Sequence, residues 1–252
     1  MKMHALSGGR LRMRKSVYLP DADRSEMIEL PVSCFLLRHP QGNVLFDTGC
    51  HPAVVDDPAT RWGGLAKMMT PIMAKDDNVL TALSCVGITP DDVDVVVCSH
   101  LHPDHCGCNA FFRRASVIVH EKEIAAARAP NAERMGYLAP EWDFGTFDEL
   151  RGERDLFGDG RIVLIELPGH TPGSIGALVA LEHSGTFLLA ADTVSLRVTL
   201  DTGVVPRNIQ QPDAFQKSLQ NIREIEARGT TVLCGHDAAQ WDTLRKGVAF
   251  YD

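Results

Sequence analysis

Three histidines and an aspartate fall within six residues in His100-Leu101-His102-Pro103-Asp104-His105. The apolar run Val93-Asp94-Val95-Val96-Val97-Cys98 precedes them and reads as a strand, whose C-terminal end delivers the donors to one place. Three later loops, each following an apolar strand pattern, carry the same donor types. They hold His170 in Pro168-Gly169-His170-Thr171-Pro172-Gly173, Asp192 after the run ending at Ala191, and His236 in Gly235-His236-Asp237. The set amounts to five imidazoles and two carboxylates. One zinc ion takes about four ligands, so this set is too large for one ion and suits two that share a bridging carboxylate. Imidazole with carboxylate suits Zn2+ first, with iron, manganese or cobalt as other ions such donors take. A structural zinc site would use thiolates, and the chain has no Cys-x-x-Cys pair.

Other residues around these donors have supporting roles to fill. Asp47, in Phe46-Asp47-Thr48-Gly49, and Asp237 are candidates to orient a ligating histidine through its second ring nitrogen. Gly107, Gly169, Gly173 and Gly235 allow tight backbone paths beside the ligands. Cys106 and Cys108 flank the cluster and read as small residues packing beneath it in preference to groups that support the ligands from behind. His4, His39, His51, His120 and His183 fit no ligand spacing and are expected to be structural or exposed.

The elements that must position these groups follow from the apolar pattern. Residues 1–30 suggest an opening strand and a mobile loop, and Val32–Leu37 a buried strand. The turn residues His39-Pro40-Gln41-Gly42-Asn43 join that strand to Val44-Leu45-Phe46 as a hairpin. Trp62, Leu65, Met68, Met69, Ile72 and Met73 recur at near-helical spacing within a loosely patterned stretch, 50–77. Such a stripe packs as core or, being rich in methionine, walls a pocket. Asn78 is placed to cap a helix that ends at Gly87. Ser116–His120 reads as a strand and Glu121–Arg128 as a helix, whereas 129–158 has no clean period and suits a lid or binding loop. Strands are expected at Arg161–Leu167, Ile175–Leu181, Phe187–Ala191 and Thr231–Cys234. Between the last two, Pro212 opens a helix with an Asp213-x-x-Gln216 capping box, a stripe of Phe215, Leu219, Ile222 and Ile225, and a stop at Gly229. Two halves, each of strands followed by a helix, point to a sandwich of paired sheets with helices outside, formed as one domain over 1–252.

Bulk properties narrow the function class. With 252 residues, 44% of them hydrophobic, the chain can bury a sizeable core. A formal charge of −8 argues against non-specific nucleic-acid binding, which needs a basic surface. No apolar run approaches the roughly 20 residues that span a bilayer, and Met1–Lys15 lacks the apolar segment of an export signal. Seven cysteines in no framework spacing, among them Cys34, Cys85, Cys98 and Cys234 in apolar surroundings, read as buried free thiols. The expectation is a cytoplasmic protein without nucleic-acid or membrane partners, acting as a monomer or homodimer.

In its motifs and their order the chain resembles the metallo-β-lactamase superfamily. The carriers of that resemblance are His-x-His-x-Asp-His, the later Gly-His, the aspartate after a strand and the terminal Gly-His, together spanning residues 47–237. The resemblance implies an α+β, four-layer αβ/βα sandwich with metals at one edge of the sheets. It also implies a ligand split: His100, His102 and His170 on one ion, Asp104, His105 and His236 on the other, and Asp192 bridging. Within the superfamily the length, the Phe46–Gly49 strand end, the methionine-rich segment and the ending Gly235-His236-Asp237 through Phe250-Tyr251 are similar to the N-acyl-homoserine lactonases and their relative that opens 4-pyridoxolactone. Two positions depart. Ser195 stands where those lactonases carry a substrate-contacting tyrosine, and Pro103 where many have an aromatic residue; both are candidate substrate contacts.

The chemistry expected is hydrolysis of a lactone or related small ester by a hydroxide held between two cations, because each cation lowers the pKa of bound water. Asp104 would ligate and also pass a proton to the departing ring alkoxide. Other readings have weaker support. A glyoxalase-II-like thioesterase would want basic residues for an anionic conjugate, and the C-terminal third offers only Arg223, Arg228, Arg245 and Lys246 as a loose set. A secreted β-lactamase would carry an export signal, a nuclease would be basic and larger, and a non-enzymatic metal binder would not need the full ligand set.

Overall fold

The computed structural model describes all residues, 1–252. Its framework begins with a long hairpin, β1 (Lys2–Arg14) against β2 (Met27–His39), paired antiparallel from Lys2↔Arg38 to Arg14↔Met27. The sequence pattern discloses only part of this hairpin, because a bulge between Ser7 and Arg10 shifts the register and disturbs the alternation along β1. β3 (Gly42–Phe46) continues antiparallel to β2, and the two-residue β4 (Thr70–Pro71) adds to β1. β5 (Val95–Val97), β6 (Ser116–His120) and β7 (Asp148–Leu150) then extend the sheet in parallel, in the order β4-β1-β2-β3-β5-β6-β7. A second sheet, order β12-β11-β10-β9-β8, contains β8 (Arg154–Asp155), β9 (Ile162–Glu166), β10 (Ile175–Leu181), β11 (Gly185–Leu189) and β12 (Thr231–Leu233). Its strands are antiparallel except for β12, which runs parallel to β11.

The period-two alternation of each strand creates the layers. On β1 and β2, Met3, Ala5, Phe35 and Leu37 face the second sheet, where they join Ile162, Leu164, Val179 and Leu189 in a buried cluster between the sheets. Their neighbours Leu6, Cys34 and Leu36 face outward, under Leu83 of helix Val79–Cys85 and Ile124 of helix Glu121–Ala127. On the far side Ile165, Leu188 and Val232 lie beneath Phe215, Leu219, Ile222 and Ile225 of helix Pro212–Ala227. Helix, sheet, sheet and helix make the αβ/βα sandwich.

Local signals explain most element ends. Asn78 Oδ1 accepts from the backbone N–H groups of Leu80 and Thr81 at 3.0 and 3.1 Å, capping the helix as its type and place predict. The Asp213-x-x-Gln216 box does not form. Pro212 takes the first helical position, so Gln211 becomes the N-cap without a side-chain bond and Asp213 already lies inside the helix. Cys85 ends the Val79–Cys85 helix on its exposed side, contrary to the expected burial, while the other six cysteines are buried and all seven are unpaired. No helix is long and apolar enough to cross a membrane.

A fourth apolar cluster lies under the ends of β1 and β2. Tyr18, Trp62, Met69, Met73, Leu138 and Leu196 meet there, drawn from the β1–β2 connection, the 50–77 stretch and the segments after β6 and β11. It forms one flank of the candidate site.

Candidate metal centre

Short loops after β3, β5, β9, β11 and β12 all open on one edge of the sandwich and bring every ligand candidate there. His100 and His102 lie on the loop after β5. Asp104 and His105 sit in the one-turn helix Pro103–Cys106, which starts with proline at its first position. The nitrogens of His100 (Nε2) and His170 (Nε2) each lie 3.1 Å from His102 Nδ1. On the other side, His105 Nε2 is 3.4 Å from His236 Nε2, and Asp104 Oδ2 is 3.6 and 3.5 Å from those two nitrogens. Asp192 lies between the two groups. Its Oδ1 is 2.9 Å from His236 Nε2 and its Oδ2 is 3.5 Å from His170 Nε2, so one carboxylate oxygen faces each cluster.

The outer partners of these rings decide which nitrogen is bare. His102 Nε2 donates to the Met135 carbonyl at 2.9 Å, which leaves Nδ1 without a hydrogen. The Ser99 hydroxyl donates to Asp47 Oδ2 at 2.7 Å and therefore accepts from His100 Nδ1 at 3.0 Å, which leaves His100 Nε2 bare. Two lone pairs thus face each other 3.1 Å apart with no hydrogen between them. A cation at their focus relieves that repulsion. The donor set fits two divalent ions on this chemistry.

Electrostatics supports the same assignment. Burial, joined by the neighbouring imidazoles of His105, His102 and His170, holds His100 well below the usual imidazole range, and burial pulls His170 down to about 3 despite Asp192. Both rings are therefore neutral at physiological pH, as ligation requires. Burial also opposes charge on His105, but Asp104, Asp47 and Asp192 outweigh it and raise that ring well above its ordinary value. His236 is raised against burial by Asp192. Both shifts favour the charged imidazole, so a metal bound there competes with a proton.

Supporting groups hold the ligands in place. Asp47 is buried in the left-handed region (φ 60°), a conformation costing on the order of 1–3 kcal/mol for a residue with a side chain. Its carboxylate accepts from Ser99 N at 2.7 Å, from the Ser99 hydroxyl at 2.7 Å and from His105 Nδ1 at 2.8 Å. One aspartate thereby orients His105 directly and His100 through Ser99. Glu123, fully buried, accepts from Leu101 N at 3.0 Å and Gly173 N at 3.1 Å, tying together the loops that carry His100 and His170. Gly136 (φ 94°) presses on His102, where an added Cβ would come within 3.0 Å of the imidazole. At Gly235 a Cβ would meet Asp192 Oδ1 at 2.7 Å.

A cavity of about 400 Å³ opens over the centre. Asp104, Asp192, His102 and His170 form its polar end, with Pro103 beside them, and Met13, Val17, Leu65, Met68, Met69 and Ile209 its apolar walls. The methionine stripe therefore serves in both expected ways, since Met69 also belongs to the flanking apolar cluster. The 129–158 segment contributes Arg134, Met135 and Gly136 to the opposite wall. Buried Glu141 joins this segment to the 50–77 stretch, with Arg61 Nε at 2.7 Å and Trp62 Nε1 at 3.1 Å. A larger open depression near Lys122 and Lys217, about 630 Å³, contains none of the ligand candidates.

Two expected roles are not supported by position. The Ser195 hydroxyl is buried, donates to the Asp192 carbonyl at 3.3 Å and is not part of the cavity lining. Asp237 orients no histidine; it caps helix Ala238–Thr243 by accepting from Gln240 N at 2.8 Å, and also accepts from Arg197 N at 2.9 Å. His236 Nδ1 donates instead to the Pro31 carbonyl at 2.8 Å. Cys106 and Cys108 belong to the outer apolar cluster, their thiols directed to the carbonyls of His102 and Cys50. Sequence reasoning missed Glu123, Glu141 and Tyr18. No spacing marks them, because each reaches its partners through the tertiary fold.

Comparison with known proteins agrees with this geometry. The Metallo-beta-lactamase superfamily profile matches residues 27–236. N-acyl homoserine lactonase AttM of Azorhizobium caulinodans is 30% identical over 100% of this chain and 99% of its own. N-acyl homoserine lactonase AiiB of Agrobacterium fabrum is 33% identical over 90% of this chain and 87% of its own. Among solved structures, an N-acyl homoserine lactone hydrolase with the product N-hexanoyl-L-homoserine at its catalytic metal center superposes with a TM-score of 0.88. It is 25% identical, and the match covers 99% of this chain and 98% of that one. The chain belongs to the metallo-beta-lactamase superfamily.

Proposed function

We propose that this protein is a dizinc lactonase that opens the ring of N-acyl-homoserine lactones or closely related lactones. The observation that carries this reading is the placement of Asp192, with one oxygen toward each of two complete donor groups at the floor of a largely apolar cavity. Full-length relatives named N-acyl homoserine lactonase support the substrate class. Imidazole and carboxylate donors without thiolate support zinc. Seven unpaired cysteines support action in a reducing compartment such as the cytoplasm.

His100, His102 and His170 would hold one ion, Asp104, His105 and His236 the other, and Asp192 both. Two bound divalent ions supply hydroxide at neutral pH and Lewis acidity toward an ester carbonyl. The chain's own residues do the rest. Asp47, Ser99 and the carbonyls of Met135 and Pro31 fix the ring orientations, so that no reorganisation is needed during reaction. Asp104 lines the cavity, and its carboxylate can take the proton of the hydroxyl added to the acyl carbon and give it to the ring oxygen as the C–O bond breaks. The methionine wall takes up the flexible acyl chain and excludes water from it.

The test is a substrate panel run on zinc-loaded protein: acyl-homoserine lactones of several chain lengths, an aromatic lactone, a glutathione thioester and a cephalosporin. Hydrolysis of the acyl lactones at the highest kcat/KM supports the proposal. Faster turnover of the thioester or the cephalosporin overturns it.

A further inference from the structure

A substrate oxygen that gains negative charge at the floor of this cavity is stabilised by a preorganised hydrogen-bond donor in addition to any bound cation. Three donors in the wall are committed elsewhere. Gln210 Nε2 points to the Met135 carbonyl at 3.4 Å and the Arg207 guanidinium to the Pro20 carbonyl at 2.9 Å. The outer nitrogen of His102 is likewise taken by Met135. Tyr18 differs. Its ring is enclosed, with 2% exposure, and lines the cavity together with Asp104 and Asp192. Its hydroxyl finds only the Met13 thioether, at 3.3 Å, which is a weak acceptor. Burial raises its ionisation above the usual phenol range, so the oxygen keeps its hydrogen.

The backbone that carries Tyr18 is fixed in advance. Tyr18 N donates to the Lys15 carbonyl at 3.0 Å and Lys15 N to the Glu26 carbonyl at 2.9 Å, closing the β1–β2 connection on itself. Arg207 N donates to the Val17 carbonyl at 2.7 Å and binds that connection to the segment before helix Pro212–Ala227. A donor held this way costs nothing to orient when charge develops.

We propose that Tyr18 is a catalytic residue whose hydroxyl hydrogen-bonds the acyl oxygen of the lactone as charge builds on it, and then the carboxylate of the opened product. The phenol's O–H bond stays intact throughout, since the proton needed by the ring oxygen is outside its task. This role rests on the lactone-opening function proposed above.

The decisive variant is Tyr18→Phe, which removes one oxygen and leaves the packed ring. It is expected to keep its melting temperature and its full metal content. Its kcat should fall about 100-fold, in the range seen for loss of one oxyanion donor, with a smaller change in KM. Affinity for the ring-opened product, measured calorimetrically, should fall about tenfold. A second readout uses 3-fluorotyrosine protein, whose three tyrosines give three ¹⁹F resonances. Product should shift the resonance that is missing from Tyr18→Phe. Unchanged kcat and product affinity in a metal-replete Tyr18→Phe, or no shift of that resonance, overturns the role of Tyr18 while leaving the lactonase function intact. Wild-type protein that holds its metals yet opens no lactone overturns both.

Discussion

Replacing Asp47 with asparagine should disarm the metal centre without touching a ligand. Asparagine matches aspartate in shape and tolerates the left-handed backbone found there (φ 60°), so the substitution adds no strain of its own. Its Oδ1 keeps the bond from Ser99 N. At the other position an NH₂ group replaces the oxygen that accepts from the Ser99 hydroxyl and from His105 Nδ1. That NH₂ donates to both. His105 must then accept on Nδ1 and carry its hydrogen on Nε2, the atom turned toward the centre. The Ser99 hydroxyl, now receiving a hydrogen from residue 47, gives its own to His100 Nδ1 and drives the same switch in His100. Two of the five ligand imidazoles would present N–H where a lone pair is required. Loss of an outer partner of a metal-bound histidine typically weakens binding about 10–100-fold, and here two rings are affected, so the upper end, about 2.8 kcal/mol, is expected. Competition with a chromophoric chelator measures the zinc affinity, and thermal melting of the metal-free protein separates binding from folding. A metal-free Asp47→Asn that melts like wild type and binds zinc within threefold of it would refute the tautomer argument.

Other perturbations test the surrounding structure. Gly235→Ala puts a Cβ 2.7 Å from Asp192 Oδ1 and should cost at least tenfold in zinc affinity by equilibrium dialysis, while circular dichroism stays native. Burial lifts Glu141 to about 7 despite Arg61 and Trp62. The folded protein therefore binds a proton there that the unfolded chain, with its ordinary carboxyl value near 4.5, has released. That contribution to stability is present below the unfolded value and is lost as pH rises toward 7. Urea denaturation from pH 4.5 to 7.5 should show this loss in wild type and a flatter profile in Glu141→Gln. Phe215, fully buried between helix Pro212–Ala227 and the second sheet, should cost about 3–5 kcal/mol in chemical denaturation when replaced by alanine.

What could be read from the sequence was local. His100 to His105 lie within two turns of backbone after a short strand, so type and spacing alone disclose their chemistry. His170, Asp192 and His236 each follow an apolar run directly, and a strand that ends at a sheet edge can only deliver them there. Asp47 shares that logic. Residues whose roles depend on other segments were not legible. Tyr18 belongs to the hairpin connection and reaches the cavity because Arg207, far away in sequence, holds that connection down. Glu123 sits on a helix whose pattern looks ordinary, and only the fold shows both of its oxygens capturing loop amides. Asp237 and Ser195 illustrate the converse. A residue beside a ligand has several neighbours to satisfy, and for these two a helix cap and a backbone carbonyl are the partners found. The Asp213 capping box failed for a similar reason, since proline competes for the first helical position more strongly than a side-chain cap does.

The most direct test of the two-ion centre is calorimetric titration of metal-free protein with zinc, with acyl-lactone hydrolysis followed on the same samples. Two ions per chain are predicted, with activity returning only as the second site fills and disappearing when a chelator removes the metal. A single ion at saturation, or hydrolysis that persists in fully metal-free protein, would contradict it.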